Sequence, residues 1–232
     1  MPMKSSEKML IILFWLLLIA DCILIKERLQ EYRVFTKILL IPVLLISIYI
    51  ASKETKHRRS KALANLAFFF CFLGDLSLLD SEDTSYFMLG LTSFLLAHIF
   101  FIIFFFRLKA FKDKYRLYLF TMALIIFSYF GALLFLIWSG VSRQGYNIPI
   151  IIYAVILGVM LLTAVHSINN KSIKRLAQNF FIPGAILFVL SDSILALTKF
   201  AISFPYSDIL IMITYAGAIF LLSMGVIRFL KK

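Results

Sequence analysis

Long apolar runs, broken by short blocks of charge, dominate the chain. A helix crosses the hydrocarbon core of a bilayer with about 20 mostly apolar residues. Eight runs meet that length or come close to it: roughly 9–25, 36–52, 63–80, 86–106, 117–138, 148–166, 180–198 and 208–229. The shorter ones fit tilted helices or a locally thinned bilayer. Little sequence remains between them, so the pattern predicts an all-α, polytopic membrane protein. It has eight transmembrane helices and a single transmembrane domain over 1–232. The first run has a signal-peptide look, with Lys4 and Lys8 ahead of the apolar stretch Leu10–Ala20. The stretch Leu18-Ile19-Ala20-Asp21-Cys22 faintly resembles a lipoprotein cleavage box. Asp21 stands where such boxes want a small residue, so the run reads as an uncleaved first helix.

Composition agrees with this pattern. Of 232 residues, 62% are hydrophobic and only 16% charged, and mean hydropathy is +0.97. Soluble domains carry roughly a quarter charged residues. A disordered chain, a collagen-like repeat and a disulfide scaffold are excluded. Cys22 and Cys71 both lie inside apolar runs and read as small buried hydrophobes. The 25 Phe residues read as packing or lipid-facing surface.

The formal charge of +12 changes the picture only through its placement. Of the 24 basic residues, 18 fall at the two termini and in the loops 53–61, 107–116 and 171–175. The other six are Lys26, Arg28, Arg33, Lys37, Arg143 and Lys199. By the positive-inside rule both termini are cytoplasmic, and two termini on one side agree with an even number of spans. The loop 80–85, with Asp80, Glu82 and Asp83, then faces outward. The basic patches are expected to meet anionic lipid at the membrane surface, and no nucleic-acid partner is expected.

Ionisable groups inside apolar spans are costly, and each is a candidate functional residue. Asp75 interrupts the third run after Gly74, and Asp192 interrupts the seventh between Ser191 and Ser193. Asp75 lies about five residues from the outer end of its helix and Asp192 about seven, or about 8 and 10 Å at 1.5 Å per residue. The two carboxyls are thus expected at one depth in the outward half. Asp21, Lys37, Tyr153 and Tyr215 fall in that half too. Asp21 reads as an interfacial residue paired with Lys26 or Lys37. His98, near the middle of the fourth span, reads as a hydrogen-bonded packing residue before it reads as a catalyst. His166 ends the sixth span. Tyr153 and Tyr215 read first as packing aromatics. The bland alternative for the two aspartates is a hydrogen bond to a Ser or Thr of a neighbouring helix. Laying Asp75 over Asp192 also lays His98 over Tyr215 and is compatible with a four-plus-four parallel repeat. Pro42, Pro149 and Pro183 sit where helices start or tolerate a local kink, and no hinge is expected from them.

Several of these segments together resemble the YhhN family. They are Gly74-Asp75, then Phe87-Met88-Leu89-Gly90-Leu91 and Phe94-Leu95-Leu96-Ala97-His98, and finally Pro183-Gly184-Ala185-Ile186-Leu187-Phe188-Val189-Leu190-Ser191-Asp192-Ser193. Thr36-Lys37 and Tyr153-Ala154 also fit its pattern, and the resemblance covers nearly the whole chain. It implies an eight-helix protein of a bacterial inner membrane. The family's animal members are lysoplasmalogenases, which cleave the vinyl ether bond of lysoplasmalogens to a fatty aldehyde and a glycerophospho-ethanolamine or -choline. The resemblance implies Asp75 and Asp192 as the catalytic pair and a lysophospholipid in the bilayer as substrate. Two positions depart from the pattern: Ile38 follows Thr36-Lys37 where proline is common, and Ala216 and Ile219 stand where a Tyr and a Gln are common.

Vinyl ether hydrolysis needs a general acid to protonate carbon and a carboxylate to stabilise the resulting cation and activate water. It requires no metal or cofactor. A coupled pair of carboxyls titrates as a unit, so neither is given a fixed role. Lys37, His98, Tyr153, Ser191, Ser193 and Tyr215 are the expected supporting residues. Ser191, Ser193, Tyr153 and Tyr215 would hold the water or ether oxygen, and Lys37 or His98 would meet the phosphate or tune the pair. The main alternative is a proton-coupled transporter or lipid carrier, which also suits paired membrane acids. An intramembrane aspartyl protease lacks its Pro-Ala-Leu segment here. A zinc lipid amidase would have few ligands among His57, His98 and His166.

Overall fold

The computed structural model describes residues 5–80, 83–108 and 116–232. Lys4, Glu82 and the middle of the basic loop 107–116 lie outside the described residues. Eight helices are long and apolar enough to cross a membrane, as the run pattern predicts. They are α1 (Ser5–Lys26), α2 (Arg33–Ala51), α3 (Arg58–Ser77), α4 (Thr84–Phe106), α5 (Arg116–Arg143), α6 (Asn147–His166), α7 (Ile182–Phe200) and α8 (Ser207–Leu230). The chain is a multi-pass membrane protein.

The closest packing joins α3 to α4, α7 to α8, and α1 to α2. Gly74 permits the first of these: a Cβ there would lie 2.6 Å from the ring of Phe94 on α4. α8 is the most enclosed span and α5 the least. Phe120, Leu124, Phe135 and Leu136 of α5 are exposed, the residues expected on a helix that faces lipid tails. The core between the spans is rich in phenylalanine. Phe68, Phe101, Phe104, Phe105, Phe181 and Phe188 are all fully buried. α1 is part of this bundle. It packs against α2 and α8 through buried Phe14 and Leu18.

Polar contacts gather the segments read as cytoplasmic at one end of the bundle. Lys231 Nζ donates to both carboxylate oxygens of Glu7 at 2.8 Å. Thr55 Oγ1 donates to the carbonyl of Leu230 at 2.8 Å, and Lys232 Nζ to that of Ser172 at 2.5 Å. Asn170 Nδ2 donates to the carbonyl of Leu108. At the opposite end Asp83 caps α4, accepting from the amides of Ser85 and Tyr86 at 2.6 and 3.3 Å.

One feature of α7 has no counterpart in the sequence reading. The helix is entered through a single turn, Lys174–Leu176, and a five-residue π turn, Ala177–Phe181. Pro183 follows at once. A proline has no N–H to give to the carbonyl four residues back, and its ring crowds that carbonyl. A widened turn relieves both, and such π turns often mark functional helices.

Candidate functional site: two carboxyl networks between a polar and an apolar cavity

Asp75 leaves α3 one residue after Gly74 and is 2% exposed. The hydroxyl of Tyr215 on α8 donates to its Oδ2 at 2.8 Å. The Tyr215 ring is held edge-on against Phe94 and Phe188, with centroids 5.7 and 5.5 Å away. Asp192 leaves α7 and has a different environment. Tyr153 of α6 donates its hydroxyl to Oδ2 at 2.6 Å, and His98 Nε2 of α4 stands 3.4 Å from the same oxygen. His98 Nε2 and the Tyr153 hydroxyl are themselves 3.1 Å apart. The Nδ1 atom of His98 is buried without a hydrogen-bond partner among the described residues. The imidazole therefore directs its polar contacts wholly toward Tyr153 and Asp192.

Both aspartates thus bond to tyrosine rather than to a Ser or Thr of a neighbouring helix, and the Tyr153 and Tyr215 hydroxyls bond as well as their rings pack. Ser191 and Ser193 flank Asp192 but bond elsewhere. Ser191 donates to the carbonyl of Ile211 at 3.1 Å, tying α7 to α8. Ser193 donates to the carbonyl of Val189 at 2.7 Å and accepts from Tyr129 of α5 at 2.9 Å.

Two cavities meet at Asp192. The first is a polar chamber of about 400 Å³ whose lining includes Arg33, Lys37, Asp75, Ser191, Asp192 and Tyr215. The second is a narrower apolar cleft of about 60 Å³ between α4, α5, α6 and α7. Phe87, Leu91, Phe130, Leu133, Ile150 and Leu157 supply much of its wall. Asp192, Leu78, Phe94 and Leu195 line both. Tyr153 and Ser193 open on the cleft. Asp75 opens on the chamber.

Asp21 is a correction to the sequence reading. It is fully buried, and its partner is neither Lys26 nor Lys37. Arg33 forks onto it, Nε to Oδ1 at 3.3 Å and Nη2 to Oδ2 at 3.2 Å, and Thr36 Oγ1 donates to Oδ1 at 2.7 Å. The 3₁₀ turn Gln30–Tyr32 and the left-handed Arg28 (φ 59°) bring Arg33 back over α1. Arg33, read in the sequence only as a loop cation, therefore belongs to the wall of the chamber. Cys71 is fully buried and Cys22 half-buried. Among the described residues no three His, Cys, Asp or Glu side chains come together as metal donors.

The fold and site define a polytopic membrane protein with two intramembrane acids, Asp75 on a polar chamber and Asp192 at the meeting of that chamber with an apolar cleft. The YhhN family model matches residues 32–226 of the 232-residue chain, and the chain belongs to that family. The match takes in all eight residues singled out as site residues. No curated protein and no solved structure matches the chain.

Proposed function

We propose that the chain is a lysoplasmalogenase-like hydrolase acting on the vinyl ether bond of single-chain ether phospholipids. Membership of the YhhN family supports a hydrolase of this kind. The observation that carries the reading is Asp192, whose carboxyl lies where the polar chamber and the apolar cleft meet. A lysoplasmalogen changes from polar head to apolar chain at its vinyl ether. A molecule with its head in the chamber and its chain in the cleft would present that bond to Asp192. The cleft is narrow, so the chain would enter by moving side chains of the lipid-facing helix α5.

The chemistry follows from the two carboxyls. One carboxylic acid protonates the β-carbon of the vinyl ether, and the double bond becomes an oxocarbenium cation. The other, as carboxylate, stabilises that cation and takes a proton from the water that adds to it. The hemiacetal then breaks its bond to the glycerol oxygen, which takes up a proton. One water is consumed, and a fatty aldehyde and a glycerophospho-alcohol leave. General acid–base help of this kind contributes about 10²- to 10⁴-fold. Tyr215 orients the Asp75 carboxyl, and Tyr153 with His98 orients that of Asp192.

Aldehyde release from lysoplasmalogen by the detergent-purified protein tests the reading, with Asp75→Asn and Asp192→Asn beside the wild type. Aldehyde from the wild type alone is expected. Full activity in either variant would refute the acid pair. No aldehyde from a folded wild type, together with proton-driven solute uptake in proteoliposomes, would favour a transporter instead.

A further inference from the structure

Beside Asp75 and Asp192 the chamber carries charged groups that the hydrolytic chemistry itself does not use. Lys37 lies one helical turn beyond Arg33 on α2, so both side chains point to the same face. Lys37 is 8% exposed, and its ammonium has no hydrogen-bond or ion-pair partner among the described residues. Arg33 is fixed by Asp21 and by Gln30, whose Oε1 accepts from Nη1 at 2.9 Å. Those bonds use three of its five N–H groups, which leaves two for a ligand. Two more carboxylates, Asp80 after α3 and Asp208 in the first turn of α8, line the same chamber but are exposed. The cations are therefore deep and the extra acids lie at the rim.

The lining carries two cations against the four carboxyls of Asp75, Asp80, Asp192 and Asp208. Even with one of the four protonated, the walls are net negative. A purely anionic ligand would meet that field unfavourably. A phosphodiester that also bears a cationic group offsets it.

We propose that Arg33, positioned by Asp21, and Lys37 seat the phosphate of the head group, and that Asp80 and Asp208 select head groups carrying an ammonium. This rests on the lysolipid reading above and assigns the residues that discriminate among its substrates. Asp21 is a positioning residue, since it reaches the ligand only through Arg33.

The test measures binding separately from turnover. Glycerophosphoethanolamine, glycerophosphocholine and glycerol 3-phosphate are titrated calorimetrically into the detergent-solubilised full chain. The two zwitterions are expected to bind, and glycerol 3-phosphate to bind at least tenfold more weakly. Lys37→Gln is expected to weaken zwitterion binding tenfold or more, with Lys37→Arg recovering most of it. Arg33→Gln is made together with Asp21→Asn, so that no buried charge is left unpaired, and should weaken binding similarly. Asp80→Asn with Asp208→Asn should narrow the gap between zwitterion and glycerol 3-phosphate. Unchanged zwitterion binding in the Lys37→Gln protein and in the Arg33 double variant would overturn the proposal. So would equal binding of glycerol 3-phosphate by the wild type. Aldehyde release with binding indifferent to these residues would sink this assignment alone. Binding that depends on them without any aldehyde release would instead sink the hydrolase reading.

Discussion

Tyr215 and His98 stand in reciprocal relation to the two aspartates. An offset of 117 residues (192 − 75 and 215 − 98) carries Asp75 onto Asp192 and His98 onto Tyr215. In space the partners are exchanged: Tyr215 of the second half bonds Asp75 of the first, and His98 of the first half meets Asp192 of the second. An exchange of that form is what a two-fold axis between halves generates, and it is what a four-plus-four parallel repeat would produce. The two members differ chemically. Asp75 accepts from one tyrosine, while Asp192 faces a tyrosine and an imidazole. Such a difference would let one carboxyl act as acid while the other acts as base.

Tyr215→Phe removes the donor to Asp75 and keeps the ring against Phe94 and Phe188. A hydrogen bond to a charged group contributes about 1.5–3 kcal/mol. Aldehyde release is therefore expected to fall about tenfold to 150-fold. An unchanged rate in a protein with unchanged melting would show that the bond does not serve the reaction.

His98→Gln and Tyr153→Phe act on the same oxygen of Asp192. Residues in one hydrogen-bond network couple by about 0.5–3 kcal/mol. The double variant should thus lose less activity than the two single losses multiplied together. Strict multiplication of the two effects, read as kcat/KM, would count against a shared network.

Arg33→Ala leaves the carboxylate of Asp21 buried and without its counter-charge. Breaking a buried pair by removing one partner costs about 3–5 kcal/mol. A clear fall in thermal stability in detergent is expected, with Arg33→Gln/Asp21→Asn nearer the wild type. Equal melting of Arg33→Ala and wild type would mean that water reaches Asp21.

Ala196→Phe places a ring in the wall of the apolar cleft, one turn beyond Asp192 on α7. KM for long-chain lysoplasmalogens should rise, while short-chain analogues should be affected little. An equal effect on both chain lengths would argue that the chain does not enter this cleft.

Gly74→Ala drives a methyl group to 2.6 Å from the Phe94 ring. Overpacking of this kind costs about 1–3 kcal/mol, and Phe94 also lines both cavities. Stability and activity should both fall, and Phe94→Leu in the same chain should return part of the stability. No recovery would mean that the strain is absorbed elsewhere.

The sequence reveals what is out of place in an apolar run and conceals what is at home there. Asp75, Asp192 and His98 stand out because a charge or imidazole among Phe and Leu needs a reason. Tyr153 and Tyr215 needed depth-matching and the family pattern as well. Arg33 was invisible as a site residue, since a basic residue between two spans looks like any loop cation. Its role depends on the turn Gln30–Tyr32, which folds it onto Asp21 and away from solvent. The partner expected for Asp21 was wrong for the same reason: proximity in sequence to Lys26 says nothing about that turn. The apolar cleft left no trace either, because Leu133, Ile150 and Leu157 at its wall carry the pattern of ordinary packing positions.

The π turn before Pro183 sets the phase of everything that follows it. One residue more than an α-helical turn rotates the remainder of the helix by about 100° relative to an uninterrupted one. The azimuth of Asp192, and hence its arrival at the meeting of two cavities, is therefore fixed ten or more residues earlier. The loss of a single residue between Ala177 and Phe181 would swing the carboxyl toward another neighbour while leaving every side chain of the site in the sequence. In this chain a one-residue deletion at that turn is expected to cost more activity than a conservative substitution beside the aspartate itself.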